Sequence, residues 1–337
     1  GSYQMTTLVI GGSGFVGLNL VETGLRRSDR IIAFDKIPLP SEAERAFSSL
    51  PGELSSVQGD ITNLDNVLRI IKDNNIERIF HGAAVTAGHK RELEEPEIIL
   101  SVNVMGLINS LKASKVAGTV KRIINISSGS AYGDGGFGDT GWDGVLDEYG
   151  TREDPVTLYA ISKFASERIT RRLGSLMNLN VCNVRLSAIF GPWEYDTGVR
   201  DTLSGPMQAS LLAISGSTAI LSRKESRDWT YSRNVAEALY AIMDQESLTY
   251  DLYNITSGIA WSVEEWCKCL AKTFPEFKYR FAYADEQANV DLFGERDRVT
   301  MSSDKLTVDT GYELSKNIPE IYKDFEDWIL TSRGFWK

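Results

Sequence analysis

Residues 8–17 read Leu-Val-Ile-Gly-Gly-Ser-Gly-Phe-Val-Gly, a short apolar run that leads directly into a glycine-rich stretch. The glycines satisfy Gly-x-x-Gly-x-x-Gly through Gly11, Gly14 and Gly17, and an amphipathic segment follows over residues 15–27. A strand that ends in such a loop and opens a helix predicts a dinucleotide site, because glycine lets the backbone turn tightly and approach the pyrophosphate. The position of this loop between a strand and a helix makes the motif specific.

Apolar strand-like runs and helical segments alternate through the first half of the chain. Further runs lie at residues 31–34, 54–60, 78–80, 122–126 and 181–190, and helical segments lie at residues 64–74, 97–116 and 157–177. Apolar runs without polar alternation are typical of parallel strands that are buried on both faces. The sequence therefore predicts an α/β fold, a Rossmann-type doubly wound parallel sheet.

The alternation weakens after Gly191-Pro192. A helix at residues 234–244, a strand at 252–255 and a helix at 263–273 are predicted there, separated by longer polar connections. We expect residues 5–191 to form the dinucleotide-binding domain and residues 192–337 to form mostly a smaller substrate-binding lobe, interleaved with the first. Residues 1–4 precede Met5 and resemble an expression tag, so they are left out of the fold prediction.

Composition narrows the class of partner. The chain has 337 residues with 36 Lys and Arg against 46 Asp and Glu, a formal net charge of −10. Negative charge repels nucleic-acid phosphates and anionic lipids, so we expect neither nucleic acid nor a membrane among the partners. Cys182, Cys267 and Cys269 are too few for a disulfide framework and lack paired zinc spacing, which predicts a reduced, cytoplasmic protein without a metal.

Two acidic residues follow predicted strands near the glycine loop. Asp35 ends the second strand, 18 residues past Gly17, where a carboxylate can accept hydrogen bonds from the adenosine ribose. This position favours NAD over NADP, although Lys36 beside it leaves the choice open. Asp60 ends the third strand and is placed either to reach the adenine or, like Thr62, to cap the next helix.

A second constellation lies in the predicted helix at residues 157–177. Tyr159-Ala-Ile-Ser-Lys163 places a phenol and an ammonium one turn apart on the same helix face. An adjacent cation stabilises the phenolate and lowers the phenol pKa toward the range in which it can act as an acid or base. The strand before this helix ends in Ser127-Ser128, so hydroxyls lie at the edge of the sheet where ligands bind.

With these motifs the chain resembles the extended short-chain dehydrogenase/reductases, the NAD-dependent epimerase/dehydratase family, from Thr7 to about Trp328. The matching motifs are the glycine loop, His81-Gly82-Ala83-Ala84, Val102-Asn103-Val104-Met105-Gly106, Ser127-Ser128-Gly129-Ser130-Ala131-Tyr132-Gly133, the stretch from Arg185 to Pro192, and Arg227-Asp228-Trp229-Thr230-Tyr231. The resemblance implies an NAD-dependent oxidoreductase in which Tyr159 is the acid/base, Lys163 lowers its pKa and holds the nicotinamide ribose, and Ser128, ahead of Ser127, orients the substrate oxygen.

The resemblance also implies a cofactor site. Its expected residues are Gly11, Gly14, Phe15, Val16, Gly17, Asp35, Asp60, Ile61, Ala83, Asn103, Tyr159 and Lys163. We expect Asn103 to support the backbone of the site and His81 to be structural. By analogy with the family, a homodimer would pair through residues 97–116 and 157–177.

Several departures from the family bear on the substrate. Ser128-Gly129-Ser130 stands where dehydratases have Thr-Asp-Glu, so we do not expect dehydration. Ser187 replaces an asparagine, and residues 221–226 replace a Gly-Asp-Gly turn, both common in nucleotide-sugar enzymes. The long acidic stretch at residues 133–154 is either a lid or a surface insertion.

Three functions remain open. The first is transfer of a hydride between NAD and a secondary hydroxyl or ketone of a sugar or sugar-acid-like substrate. The second is a nucleotide-sugar epimerase resembling UDP-glucose 4-epimerase, and the third is a non-catalytic NAD-binding regulatory protein. Candidate substrate-binding residues are His89, Lys90, Ser130, Ser187, Arg200 and Arg227.

Overall fold

A seven-stranded parallel sheet forms the centre of the structure, a computed structural model that describes residues 5–85, 88–133, 135, 144–196 and 203–336. The strands of these residues are β1 (Thr6–Ile10), β2 (Arg30–Asp35), β3 (Glu53–Gln58), β4 (Arg78–His81), β5 (Arg122–Ser128), β6 (Val181–Leu186), β7 (Ile189–Phe190), β8 (Thr218–Leu221), β9 (Thr230–Tyr231), β10 (Leu252–Ile255) and β11 (Lys278–Phe281). The sheet order is β10-β6-β5-β4-β1-β2-β3, with all neighbours parallel. The predicted Rossmann-type fold is confirmed.

Helices cover both faces of the sheet. The α-helices of the described residues are α1 (Phe15–Arg26), α2 (Ser41–Phe47), α3 (Leu64–Asp73), α4 (His89–Glu94), α5 (Pro96–Leu100), α6 (Gly106–Ala117), α7 (Leu158–Met177), α8 (Gly205–Ile214), α9 (Ser232–Asp244), α10 (Val263–Thr273), α11 (Asp304–Thr310) and α12 (Ile318–Thr331). Successive residues of β1 point to opposite faces: Val9 joins the core beneath α1 and α9, whereas Ile10 joins the core beneath α3 and α6. This two-sided burial explains why the strands lack polar alternation.

The helix predicted at residues 97–116 is not a single regular helix. It consists of α5, a π-helical turn over Ser101–Met105, and α6. A π turn inserts an extra residue into a helix and often lies at a functional site. Here the turn contains Asn103, which is buried.

The strand predicted at residues 181–190 is also interrupted, because Ser187 and Ala188 leave the main sheet after β6. The short continuation, β7, pairs with β9 instead of with β5. The amide of Thr230 donates to the carbonyl of Ala188 at 2.8 Å, which holds this branch in place. The chain therefore turns away from the main sheet at the carboxyl end of β6.

The second half of the chain contributes one strand to the main sheet and further elements outside it. The strand predicted at residues 252–255 is β10, which pairs with β6 at the edge of the main sheet. The two-stranded β8–β11 sheet and helices α8 and α10 lie outside that sheet. The division at residues 191 and 192 remains a prediction. Within the described ranges, no helix combines the length and apolar character needed to cross a membrane.

Candidate active site

A cavity of about 320 Å³ opens at the carboxyl ends of β1, β2, β3 and β4. Ligands of open α/β sheets bind at this edge. Six residues predicted to contact the cofactor line the cavity: Gly11, Gly14, Asp35, Asp60, Ile61 and Ala83. The fold thus collects side chains and backbone from four strand ends at the place where the sequence predicts NAD.

The glycine loop leaves no room for side chains at two of its positions. Gly11 has φ +82°, and a Cβ there would lie 2.8 Å from the carbonyl carbon of Gly82. A Cβ on Gly17 would lie 2.0 Å from the carbonyl oxygen of Gly11. Helix α1 starts immediately after Gly14 with Phe15 and Val16, so its N-terminal amides point toward the loop. This arrangement suits a pyrophosphate.

Asp35 connects the end of β2 to the glycine loop. One of its carboxylate oxygens accepts from the amide of Ser13 at 3.0 Å and the other accepts from the amide of Ile37 at 3.3 Å. Burial raises the pKa of Asp35, and these backbone amides oppose that rise. The carboxylate lies on the cavity wall, as predicted. It also holds the loop through these two amides, a structural role that the sequence did not predict.

Asp60 also lines the cavity, but neither it nor Thr62 caps the next helix. Asp60 accepts from the amide of Thr62 at 2.9 Å and from its hydroxyl at 2.6 Å. These hydrogen bonds lower the pKa of Asp60. The cap of α3 is Asn63, whose side chain accepts from the amide of Asn66. The capping alternative for Asp60 is therefore wrong, because Asn63, directly before the first helical residue Leu64, supplies the cap.

The two serines at the end of β5 point in different directions, as successive strand residues do. Ser127 is buried and its hydroxyl donates to Glu167 of α7 at 2.5 Å. Ser128 is half-buried and its hydroxyl accepts from the amide of Ser130 at 3.1 Å. Ser127 is thus engaged inside the protein, which favours Ser128 as the hydroxyl that faces a substrate.

Helix α7 carries the phenol and the ammonium. Tyr159 lies half-buried in the first turn, and Lys163 one turn later is only 2% exposed. Burial lowers the pKa of Lys163 to about 8, and Glu167 opposes this effect. Thr157 caps the helix by accepting from the amide of Ala160 at 3.1 Å. The helix start therefore fixes the position of the phenol.

Asn103 supports the backbone beside β4. Its side chain accepts from the amide of Val85 at 2.8 Å, and its NH₂ donates to the Val85 carbonyl at 3.2 Å and to the Ser162 hydroxyl at 3.0 Å. His81 is fully buried, with Nδ1 2.8 Å from the Ser110 hydroxyl. Burial, with a contribution from Lys163, lowers the pKa of His81 to about 3, so it is neutral. Both geometries agree with the supporting roles expected for these residues.

The candidate substrate residues near the sheet edge differ in their surroundings. The Ser130 hydroxyl oxygen is buried and has no hydrogen-bond partner among the residues that the structure describes. The Ser187 hydroxyl lies 2.6 Å from that of Thr230. Arg227 packs over the ring of Trp229 at 5.2 Å and donates to the Leu292 carbonyl at 3.3 Å. The protein therefore already provides partners for Ser187 and Arg227.

A short helix after β4 carries two of the candidate substrate residues. His89 and Lys90 start α4 and are exposed, whereas the next residue, Arg91, lines the cavity of about 320 Å³. Glu92 of the same helix accepts from the amide of Leu158 at 2.7 Å and so contacts the start of α7. Arg200 and, in the acidic stretch at residues 133–154, residues 134 and 136–143 lie outside the described residues.

Arg298 was not predicted from the sequence. A guanidinium nitrogen of this residue lies 3.6 Å from the place that a Cβ on Gly129 would take, directly after Ser128. Arg298 comes from the second half of the chain, and only the tertiary fold brings it close to Gly129. No sequence motif marked it.

Comparison with known proteins identifies the family. Residues 7–256 match the NAD dependent epimerase/dehydratase family. The chain belongs to this family. The resemblance inferred from the motifs is confirmed, and so is NAD as the cofactor of the family.

Curated members of the epimerase/dehydratase family give a range of activities. UDP-glucuronate 4-epimerase 4 of Arabidopsis thaliana is 26% identical over 250 residues, covering 71% of this chain and 54% of the relative. UDP-glucuronate 4-epimerase 1 of the same plant is 26% identical, covering 98% and 78%. The 3-beta-hydroxysteroid dehydrogenase of Mycolicibacterium neoaurum is 35% identical, covering 55% and 47%. The chain spans about half the length of the first and third of these relatives.

Solved structures share the fold. MoeE5 in complex with UDP-glucuronic acid and NAD has a TM-score of 0.75 and 24% identity, covering 97% of this chain and 99% of MoeE5. UDP-glucose 4-epimerase of Thermotoga maritima, in a structure with UDP-glucose, has a TM-score of 0.77 and 20% identity, covering 98% and 100%. At these identities the likeness extends to the fold of the family and no further.

Proposed function

We propose that the protein is an NAD-dependent oxidoreductase that transfers a hydride between NAD and a secondary hydroxyl or ketone of a sugar or sugar-acid-like substrate. The observation that carries this proposal is the buried Lys163 one helical turn from the half-buried phenol of Tyr159. Burying an ammonium costs free energy, so buried lysines are uncommon outside functional sites. A cation one helical turn from a phenol can lower the pKa of that phenol.

The residues around the cavity fit NAD. The glycine loop lets a pyrophosphate approach the backbone closely, helix α1 begins directly after it, and Asp35 and Asp60 supply acceptors on the cavity wall. Bound NAD would supply the hydride acceptor or donor for the carbinol carbon. Lys163 would stabilise the phenolate form of Tyr159, this phenolate would take the proton from the substrate hydroxyl and become the neutral phenol, and Ser128 would hold the substrate oxygen.

A direct assay tests the proposal. The protein with NAD would be incubated separately with glucuronic acid, UDP-glucuronic acid and UDP-glucose, while reduced nicotinamide is followed by fluorescence and products are followed by chromatography. Net NADH formation supports the dehydrogenase. An epimeric product without net NADH supports the second candidate below. If no product and no NADH are formed, both candidates are refuted for these substrates.

The second candidate is a nucleotide-sugar epimerase. The activities named for the relatives that cover most of this chain favour it, since two of them are UDP-glucuronate 4-epimerases. In such an enzyme the same Tyr159 would serve an oxidation followed by re-reduction, and Arg227 would hold the diphosphate. A non-catalytic regulatory role is disfavoured, because it would not need Ser128, Tyr159 and Lys163 together.

Arg227→Ala distinguishes the two candidates. We expect UDP affinity to stay within a few-fold of the wild type, because the Arg227 guanidinium is already engaged by Trp229 and the Leu292 carbonyl. Calorimetric titration with UDP measures this, with Lys224→Ala, an exposed charge nearby, as the matched control. If Arg227 instead holds a diphosphate, its loss should cost roughly 1.5–3 kcal/mol, about ten- to a hundredfold in affinity. Such a loss, absent from the control, would favour the epimerase.

We also propose a homodimer that acts in the cytoplasm. Helices α5 to α7 and the π turn between them expose large apolar side chains, among them Leu100, Met105, Val116, Ile161 and Leu176. Exposed apolar groups on two adjacent helices suit a four-helix interface about a two-fold axis. The three cysteines are free thiols, as expected in a reducing compartment.

Sedimentation at micromolar concentration should show a dimer. Met105→Glu and Leu176→Glu should each shift the protein toward monomer, because each would bury a charge in the proposed interface. Val308→Glu, at a side chain that is 82% exposed on α11, should leave the dimer intact. A wild-type monomer under these conditions would contradict the dimer proposal.

A further inference from the structure

A cluster of buried charges, centred on Glu167 of α7, lies against the carboxyl ends of β5 and β6. The Glu167 carboxylate accepts from the Ser127 hydroxyl at 2.5 Å and from the Arg185 guanidinium at 2.7 Å and 3.0 Å. Glu167 is 4% exposed and Arg185 is fully buried. One carboxylate therefore ties α7 to the ends of both β5 and β6.

Arg185 has further partners besides Glu167. It donates to Glu153 at 2.9 Å and packs over the ring of Tyr132 at 4.6 Å. Two carboxylates thus contact one guanidinium. Lys163 lies one turn before Glu167 on the same face of α7, and the Glu167 carboxylate favours the charged form of this lysine.

No other charged group in the described surroundings of Lys163 replaces Glu167. His81 of β4 faces Lys163 but is neutral, since its pKa is about 3. Tyr159, one turn earlier on α7, is the phenol that Lys163 is expected to serve. Arg185 of β6 lies beyond Glu167 and would repel the ammonium if that carboxylate were neutral. The charge of Lys163 therefore depends on Glu167 more than on its other neighbours.

We infer that Glu167 is a positioning residue that keeps Lys163 protonated and fixes its helix against the strand that carries Ser127 and Ser128. This inference rests on the role of Lys163 in the proposed function. Burial favours the neutral amine, and a neutral lysine cannot stabilise a phenolate. Glu167 opposes that effect from one turn away, so it acts on the reaction through Lys163 and does not touch the substrate.

The test measures the pKa of Lys163 directly, without turnover. Protein labelled with ¹³C at lysine Cε would be titrated by NMR, and the Lys163 signal would be assigned from its absence in Lys163→Arg. In Glu167→Gln we expect the Lys163 pKa to fall by about one unit or more, a tenfold or larger loss of proton affinity. Glu153→Gln removes the other carboxylate of Arg185 and should give a much smaller shift.

An unchanged Lys163 pKa in Glu167→Gln, or an equal shift in Glu153→Gln, would overturn the inference. Glu167→Asp keeps the charge and should keep most of the wild-type pKa. If Glu167→Gln does not fold, the double variant Glu167→Gln/Arg185→Met, which removes both charges of the pair, should show the same direction of shift. If the Lys163 pKa falls in Glu167→Gln as expected but the wild type shows no activity, the proposed function is contradicted and this inference is not. The two failures are therefore separable.

Discussion

Replacing Tyr159 with phenylalanine is expected to reduce turnover by about a thousandfold or more while leaving NAD affinity within a few-fold of the wild type. The substitution removes only the phenolic oxygen, which would carry the proton in the chemical step. The ring remains in the first turn of α7, where the Thr157 cap and the Glu92 contact hold the helix start. The variant should therefore fold, bind the cofactor and fail in catalysis.

The measurement compares kcat on a substrate that the wild type converts with the NAD dissociation constant from calorimetry. Tyr283→Phe is the matched control, because it deletes the same oxygen from a side chain that is 70% exposed in the second half of the chain. That control should behave as the wild type. Activity of Tyr159→Phe within tenfold of the wild type would remove Tyr159 from its proposed role.

Wild-type protein is expected to bind NAD at least about tenfold more tightly than NADP, a difference of about 1.4 kcal/mol. Asp35 lies on the cavity wall at the end of β2, and its carboxylate would meet the extra 2′-phosphate of NADP. Calorimetric titration with both cofactors measures the ratio. Because burial raises the pKa of Asp35, the preference should weaken as the pH falls and the carboxyl takes up a proton.

Asp35→Asn provides the corresponding variant. It removes the charge but keeps one oxygen that can accept from a loop amide, so the preference for NAD should narrow while the loop persists. Equal or reversed affinities in the wild type would contradict this assignment. Lys36, which is exposed and lines the same cavity, would then be the residue that accommodates a phosphate, and Lys36→Ala would reveal it.

The parts of the fold that depend on local sequence were predictable. The glycine loop, the buried strands and α7 each carry their signal within a short window, since glycine spacing, unbroken apolar runs and helical periodicity are local properties. The π turn at Ser101–Met105 was not, because it depends on what the buried Asn103 contacts in the tertiary structure. The strand at residues 252–255 was predicted, but its place beside β6 was not, because long-range pairing decides that place.

The site shows the same division. Tyr159 and Lys163 follow from spacing on one helix, whereas the Glu167 and Arg185 pair joins a helix to a strand and becomes visible only when both are placed. Asp35 was expected on the cavity wall, but its hydrogen bonds to the amides of Ser13 and Ile37 depend on how the loop folds back over β2. Contacts across elements carry no local pattern, so sequence reasoning alone misses them.

A crystal structure of the protein with NAD tests the central claim most directly, namely that one edge of the sheet joins a cofactor site to the phenol and ammonium of α7. We expect the adenosine in the cavity lined by Asp35, Asp60 and Ile61, and the nicotinamide ribose in contact with Tyr159 and Lys163. A structure in which NAD binds elsewhere, or lies in this cavity with its nicotinamide end away from Tyr159, would contradict the account.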